Sequence, residues 1–305
     1  MPATFLVYFT RRCRRTAERT APRGGTTTDM PVTEERAITT DDGARIAYEV
    51  RAEPGAGEPI LALHGVLVGT SNWIHQMLRL PQFRWIAPSL RGHGQSAPAG
   101  EHPTIERAAL DALQVLDAEG VRRAVVVGNS LGATVGLALG LLRPERTRAL
   151  VLAEPSIPSL LSDEGGDRLM SAANRARVML AEGRIDDALD LFLTPRVGAD
   201  WRDKVGRRRL AEWRHNVLST PAWFDAVQEF YPGPGPLAAL EVPTLLVYGS
   251  GTQPEYRELT EAVAEAVPAA ELVEVPGAGH GVPADNPDAF NALLLDFLAR
   301  IGVPV

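Results

Sequence analysis

Among the side chains of this protein that can do chemistry, one serine stands out by its neighbours. Gly128-Asn129-Ser130-Leu131-Gly132 follows the β-branched run Arg123 to Val127 and leads into the alanine- and leucine-rich stretch Leu131 to Leu142. A Gly-x-Ser-x-Gly match alone says little, because a glycine-rich strand-to-helix turn also binds anions or simply turns. The strand-turn-helix setting makes it specific: the sharp turn strains the serine backbone and pushes the oxygen out over the end of the sheet. A hydroxyl is a poor nucleophile until an imidazole takes its proton. Of the six histidines, His64 and His93 sit in glycine-flanked loops, His75 on a helix, His102 before one, and His215 in a long helical insertion. His280, in Pro276-Gly277-Ala278-Gly279-His280-Gly281, follows the last apolar run and so falls on the same edge as Ser130. It is the expected base. Charge developing on a carbonyl oxygen needs donors, and two backbone amides fit: Leu131 at a helix N-terminus, and Val66 in the loop His64-Gly65-Val66. Gly65 is a candidate substrate contact beside them.

These groups need a scaffold that brings strand ends together. From about residue 36, short apolar runs alternate with amphipathic stretches, the pattern of a mostly parallel sheet covered by helices. Arg36 to Thr40 and Ala44 to Arg51, joined by Asp-Asp-Gly, read as a hairpin. Pro59 to Leu63, Arg84 to Ala87, Arg123 to Val127, Ala149 to Ala153, Thr244 to Tyr248 and Glu271 to Val275 complete eight strands. Helices are expected at Thr70 to Leu80, Ile105 to Glu119, Leu131 to Leu142, Pro254 to Ala266 and Asp288 to Ile301. The expected organisation is a basic tail over 1–35, a core over 36–155 and 238–305, and a helical cap over 156–237. The cap should hold helices at Asp167 to Leu193, Arg202 to Leu218 and Trp223 to Phe230, bounded by Pro155 and Pro158 and by Pro232, Pro234 and Pro236. Its aromatic residues, Trp201, Trp213, Trp223 and Tyr231 foremost, are candidates for a substrate roof. Packing the cap helices together is the competing role for each.

Composition narrows the classes. The 305 residues are 45% hydrophobic and 23% charged, with a single cysteine, Cys13. These are globular values without a disulfide framework. The formal net charge is -7, although residues 1–29 carry six arginines against only Glu18 and Asp29, so the remainder is more acidic still. An acidic surface argues against nucleic acid as a partner. The short run Phe5 to Phe9 precedes the arginines rather than following them, so no export signal is read and a cytoplasmic location is expected. Ala124 to Leu142 contains no charge, but its four glycines divide it into strand and helix rather than a membrane span. The oligomeric state stays open, a homo-oligomer included.

From about residue 36 to the C-terminus the chain resembles the α/β-hydrolase superfamily. His64-Gly65 after strand three, Arg91-Gly92-His93-Gly94-Gln95-Ser96 after strand four, the turn around Ser130 and the Gly-His loop around His280 carry the resemblance. It implies an α/β fold with an eight-stranded mostly parallel sheet and an inserted cap, and a serine hydrolase that uses no cofactor or metal. Members with serine at the turn are mostly esterases, lactonases, thioesterases, amidases or carbon–carbon bond hydrolases. Dehalogenases and epoxide hydrolases carry aspartate there.

The departure lies in the third catalytic residue. The family's aspartate usually stands three residues after the glycine ending strand seven, and Tyr248-Gly249-Ser250-Gly251-Thr252 puts a threonine there. Glu154, ending strand six on the correct edge, is expected to replace it, as in the similar zearalenone-type lactonases. Glu255 is the competing acid, and Glu154 could instead cap the cap hinge or pair with an arginine. The resemblance thus implies an ester or lactone hydrolase with a Ser130, His280, Glu154 triad, acting on a small, mainly apolar or aromatic molecule and resembling an enzyme for a resorcylic macrolactone. The alternatives are a carbon–carbon bond hydrolase of aromatic catabolism and a small-molecule receptor that no longer turns over.

Overall fold

The computed structural model describes residues 33–52, 55–100, 102–161 and 163–305. Cys13 and nearly all of the expected tail lie outside them. Eight strands form one sheet: β1 (Thr33–Thr39), β2 (Arg45–Arg51), β3 (Pro59–Leu63), β4 (Arg84–Pro88), β5 (Ala124–Asn129), β6 (Thr147–Ala153), β7 (Thr244–Gly249) and β8 (Ala270–Val275). Their spatial order is β1-β2-β4-β3-β5-β6-β7-β8. The hairpin β1–β2 is antiparallel, β2 pairs antiparallel with β4, and every later pairing is parallel. Parallel strands leave the sheet in one direction, so the ends of β3, β5, β6, β7 and β8 deliver their loops to a single edge.

The helices are α1 (Ile74–Arg79), α2 (Ile105–Ala118), α3 (Leu131–Leu142), α4 (Asp163–Ala181), α5 (Ile185–Val197), α6 (Trp201–Lys204), α7 (Arg207–Asn216), α8 (Thr220–Glu229), α9 (Pro234–Ala238), α10 (Pro254–Ala266), α11 (Val282–Asp285) and α12 (Pro287–Arg300). The period of two along the strands sorts their side chains between two cores. Leu61, Leu63, Val126, Leu150, Leu152 and Leu246 pack with α2 and α3 on one face. Ile60, Ala62, Val125, Val127, Val151, Leu245 and Val247 pack with Met77 of α1 and with Leu294 and Phe297 of α12 on the other. The central strands are therefore buried on both faces, which is why they read as unbroken apolar runs rather than alternating ones.

Six helices, α4 through α9, lie between β6 and β7. Three local features of the insertion differ from the expected pattern. The first insertion helix is two, because Gly183 adopts φ 73 between α4 and α5, a conformation that ends a helix readily in glycine. The stretch 202–218 is likewise split between α6 and α7 at Val205 and Gly206, both extended; Arg207, Arg208 and Arg209 crowd positive charge onto the first turn of α7, where the helix dipole disfavours it. The proline cluster expected to be loop contains α9, since Pro234 opens a helix without losing a hydrogen bond. At the N-terminal side, Thr33 already pairs with Arg51, so the sheet begins three residues before the expected start of the core.

Candidate active site

Ser130 follows β5 and precedes α3. Its backbone has φ 55 and ψ -120, and its amide donates to the carbonyl of Ala153 on the neighbouring strand at 2.8 Å. Such a turn works only because two side chains are missing. A Cβ on Gly132 would come within 2.1 Å of the Leu63 carbonyl oxygen, and one on Gly128 within 2.5 Å of the Gly132 oxygen. Both contacts are impossible for real atoms. The glycines that mark the motif in sequence are thus the points where α3 touches the ends of β3 and β5.

The Oγ of Ser130 lies 3.0 Å from Nε2 of His280, and Nδ1 of the same ring lies 2.5 Å from Oε2 of Glu154. Glu154 is fully buried and directly follows β6 at φ 50, the second non-glycine residue with positive φ among the described residues. Its carboxylate also accepts from the Gly249 amide at 2.9 Å through Oε1 and from the Thr252 hydroxyl at 2.8 Å through Oε2. A buried carboxylate is costly unless its lone pairs are satisfied. Here three donors meet it, two of them from the end of β7, where the expected aspartate would have stood. Glu255 makes no hydrogen bond to His280 among the described residues, and Glu154 pairs with no arginine there.

The loop carrying His280 is held from two sides. Asn129 donates to the His280 carbonyl at 3.2 Å, and the Gly279 amide donates to Asp285 at 3.0 Å. Burial pushes the Asp285 carboxyl upward, against the pull of those backbone donors. The ring of Tyr256, from the first turn of α10, stacks on the imidazole with centroids 3.8 Å apart and planes 27° apart. Asp285 and Tyr256 carried no sequence signal, since each acts through a contact that exists only in the folded chain.

The amide of Leu131 opens α3 and has no acceptor within its own helix. The second expected donor, the Val66 amide, is oriented by an unexpected residue. The Leu90 amide donates to Nε2 of His64 at 3.0 Å, so the proton of that ring sits on Nδ1, which donates to the Gly65 carbonyl at 2.8 Å. Burial drives the His64 pKa down to about 3 and keeps the ring neutral. The Gly65 carbonyl and the Val66 N–H belong to one planar trans peptide and point in opposite directions. Fixing the carbonyl therefore aims the amide. His93 holds the next carbonyl, that of Val66, through Nε2 at 2.5 Å. A Cβ on Gly65 would lie 3.5 Å from Cβ of Ser130, which places this peptide beside the serine.

The sequence profile of the alpha/beta hydrolase family matches residues 60–293. The chain belongs to the alpha/beta hydrolase family. Relatives of this hydrolase act, by their names, on different bonds. The RutD protein of Azorhizobium caulinodans, named provisionally as a carbamate hydrolase, is 30% identical over 263 residues, covering 85% of this chain and 96% of that protein. A 2-hydroxymuconate semialdehyde hydrolase of a Pseudomonas species is 28% identical over 265 residues, covering 81% and 89%. The crystal structure of a thermophilic esterase from Thermogutta terrifontis superposes with a TM-score of 0.67 at 26% identity, covering 88% of this chain and 99% of that one.

The hydrolase places its four expected roof aromatics away from a common surface. Trp201 and Trp213 pack on each other, centroids 5.9 Å apart, inside the insertion's own core, and Trp201 donates to Asp190. Trp223 is buried and donates to the Arg91 carbonyl at 2.9 Å. Tyr231 is 65% exposed. Trp201 and Trp223 thus satisfy their indole N–H groups on a carboxylate and a carbonyl, Tyr231 faces solvent, and the buried indole N–H of Trp213 has no hydrogen-bond partner. Phe192 and Phe224 stack at 5.7 Å and 12°, and Leu67 and Val68, which follow Val66, pack against the same cluster of the insertion. Among the described residues no helix is long and apolar enough to cross a membrane.

Proposed function

We propose that this hydrolase cleaves carboxylic esters or lactones through an acyl-enzyme on Ser130. The observation that carries the reading is one imidazole bridging a strained serine, 3.0 Å from Nε2, and a buried carboxylate, 2.5 Å from Nδ1. Glu154 keeps the Nδ1 proton in place, so Nε2 presents its lone pair to the hydroxyl. Ser130 Oγ attacks the substrate carbonyl carbon while its proton passes to Nε2, and the carbonyl oxygen gains charge between the amides of Leu131 and Val66. Collapse breaks the bond to the alkoxy group, which leaves with the proton from Nε2. Water then attacks the acyl carbon, losing its proton to Nε2, and the same proton returns to Ser130 as the acid departs.

An apolar acyl group is supported by Phe192, Phe224, Leu67 and Val68, which form one cluster next to the oxyanion peptide. A resorcylic macrolactone of the zearalenone type is the substrate suggested by a triad acid on β6. The test is a panel of p-nitrophenyl esters of graded chain length beside such a macrolactone, together with labelling by a fluorophosphonate. Labelling that disappears in Ser130→Ala, with turnover of some ester or lactone, is the expected result. Labelling without any ester or lactone turnover transfers the reading to carbon–carbon bond hydrolysis, and no labelling transfers it to a receptor.

A further inference from the structure

Tyr256 does more than fill space beside the candidate base. Its ring covers one face of His280 at 3.8 Å, while its hydroxyl, at the other end, accepts a 2.5 Å hydrogen bond from Nη2 of Arg196. Arg196 stands in the last turn of α5, within the insertion. Its Nη1 donates back to the Phe192 carbonyl of the same helix at 2.5 Å, and its Cζ lies 5.4 Å from the Tyr256 ring centroid and 5.9 Å from that of Phe192. Burial holds the Tyr256 hydroxyl above its ordinary pKa, so it is a neutral acceptor for the guanidinium. A continuous contact therefore runs from the aromatic cluster of the insertion, through Arg196 and Tyr256, to the imidazole.

Each link is of a kind that resists displacement. A hydrogen bond donated by a guanidinium is stronger than a neutral one, and offset aromatic stacking fixes both distance and tilt. Meanwhile the Nε of Arg196 is buried without a hydrogen-bond partner, and Arg196 makes no ion pair among the described residues. A guanidinium held at that cost, for the sake of one hydroxyl and one carbonyl, is poorly explained as a stabilising surface contact. Tyr256 is also packed against Leu161, just before α4, so both ends of the insertion's first helix pair bear on the same ring.

We propose that Tyr256 is a positioning residue for His280, and that Arg196 couples it to the seating of the insertion: the base has its reactive geometry when α5 is docked. The proposal rests on the serine hydrolase reading above. Its test needs no knowledge of the substrate, because phosphonylation of Ser130 by a fluorophosphonate requires the same proton transfer to His280. The maximal inactivation rate reports the base, and the half-saturating concentration reports reagent binding.

Tyr256→Phe and Arg196→Met each remove the same bond and should slow the maximal rate by about 3- to 10-fold with the half-saturating concentration unchanged. The double variant should be no slower than the worse single, since residues acting through one contact are not additive. Tyr256→Leu removes the stack as well and should be slower than Tyr256→Phe. Rates multiplying in the double variant, or both singles reacting at the wild-type rate, overturn the proposal. If Tyr256→Leu does not fold, the Phe–Met cycle decides alone. Failure of the wild-type protein to label at all would overturn the serine hydrolase reading instead, a result distinct from either.

Discussion

The hydroxyl of Thr252 donates to the same oxygen of Glu154 that faces His280. The position that would carry the acid after β7 thus serves the acid after β6. Both strand ends converge on one point because β6 and β7 are hydrogen-bonded neighbours, Ala153 standing opposite Val247. A glutamate, one methylene longer than aspartate, spans the extra distance from β6.

Glu154→Gln tests the acid directly. A glutamine amide facing Nδ1 would donate to it and drive the ring proton to Nε2, where it blocks acceptance from Ser130. Turnover should fall by about 10³- to 10⁴-fold, the scale of an acid-to-amide change in such a triad. Circular dichroism and the wild-type oligomeric profile should be retained. Turnover within 10-fold of wild type, on the order of one hydrogen bond's net worth, would remove Glu154 from the mechanism.

The convergence of the two strand ends predicts a transplant. In Thr252→Asp the carboxyl carbon takes the place of Oγ1, which lies 2.8 Å from Oε2 of Glu154, so its oxygens reach into the space that Oε2 occupies. With Glu154→Ala made first, adding Thr252→Asp should recover at least about 10-fold of the lost activity. With Glu154 retained, the same change places two carboxylates together and raises the pKa of one of them, so the acid limb of the pH–rate profile should move upward. No recovery in the Glu154→Ala background would mean that the β7 loop cannot present an acid.

Much of this was legible in sequence because it depends on local rules. Strand periodicity gave the eight runs, and Gly128, Ser130 and Gly132 announced a turn whose tightness only glycine permits. His280 followed from its place beyond the last strand. The surroundings of the roof aromatics were not legible: Trp201, Trp213, Trp223 and Tyr231 have the composition of a pocket wall, but which ring is buried against a carboxylate or a carbonyl and which faces solvent is decided by how the helices pack. Likewise His64 read as a loop histidine, since its role arises from the Leu90 amide, which comes from a different strand end.

His64 makes the fold sensitive to acid in a defined window. Its folded pKa, about 3, lies below the ordinary histidine value of 6.5 because of burial. A depressed folded pKa means that the neutral ring contributes its full stability above pH 6.5 and loses it as pH falls toward 3, where the unfolded chain binds a proton that the folded chain refuses. The slope is about 1.4 kcal/mol per pH unit within the window. His93, also pushed down by burial, adds to it. Thermal unfolding from pH 7 to 4 should therefore show a steep decline in wild-type Tm and a shallower one in His64→Asn, whose Tm at pH 7 is lower. Parallel declines would mean that His64 is not the group being titrated.

The strain at Ser130 predicts a trade between stability and activity. At φ 55 and ψ -120 its Cβ is held where an L-residue is disfavoured by roughly 1–3 kcal/mol. Ser130→Ala and Ser130→Gly both remove the nucleophile, but only the second removes the Cβ. Glycine also loosens the unfolded chain, which offsets about 0.4–1 kcal/mol of the gain. The net should leave Ser130→Gly more stable than Ser130→Ala by up to about 2 kcal/mol, seen as a higher Tm by several degrees in a domain of this size, at roughly 2–4 °C per kcal/mol. Both variants should be inert to fluorophosphonate. An Ala variant as stable as the Gly variant would show that the turn stores no strain at the serine, and that the positive φ is accommodated by the contacts of Gly128 and Gly132 alone.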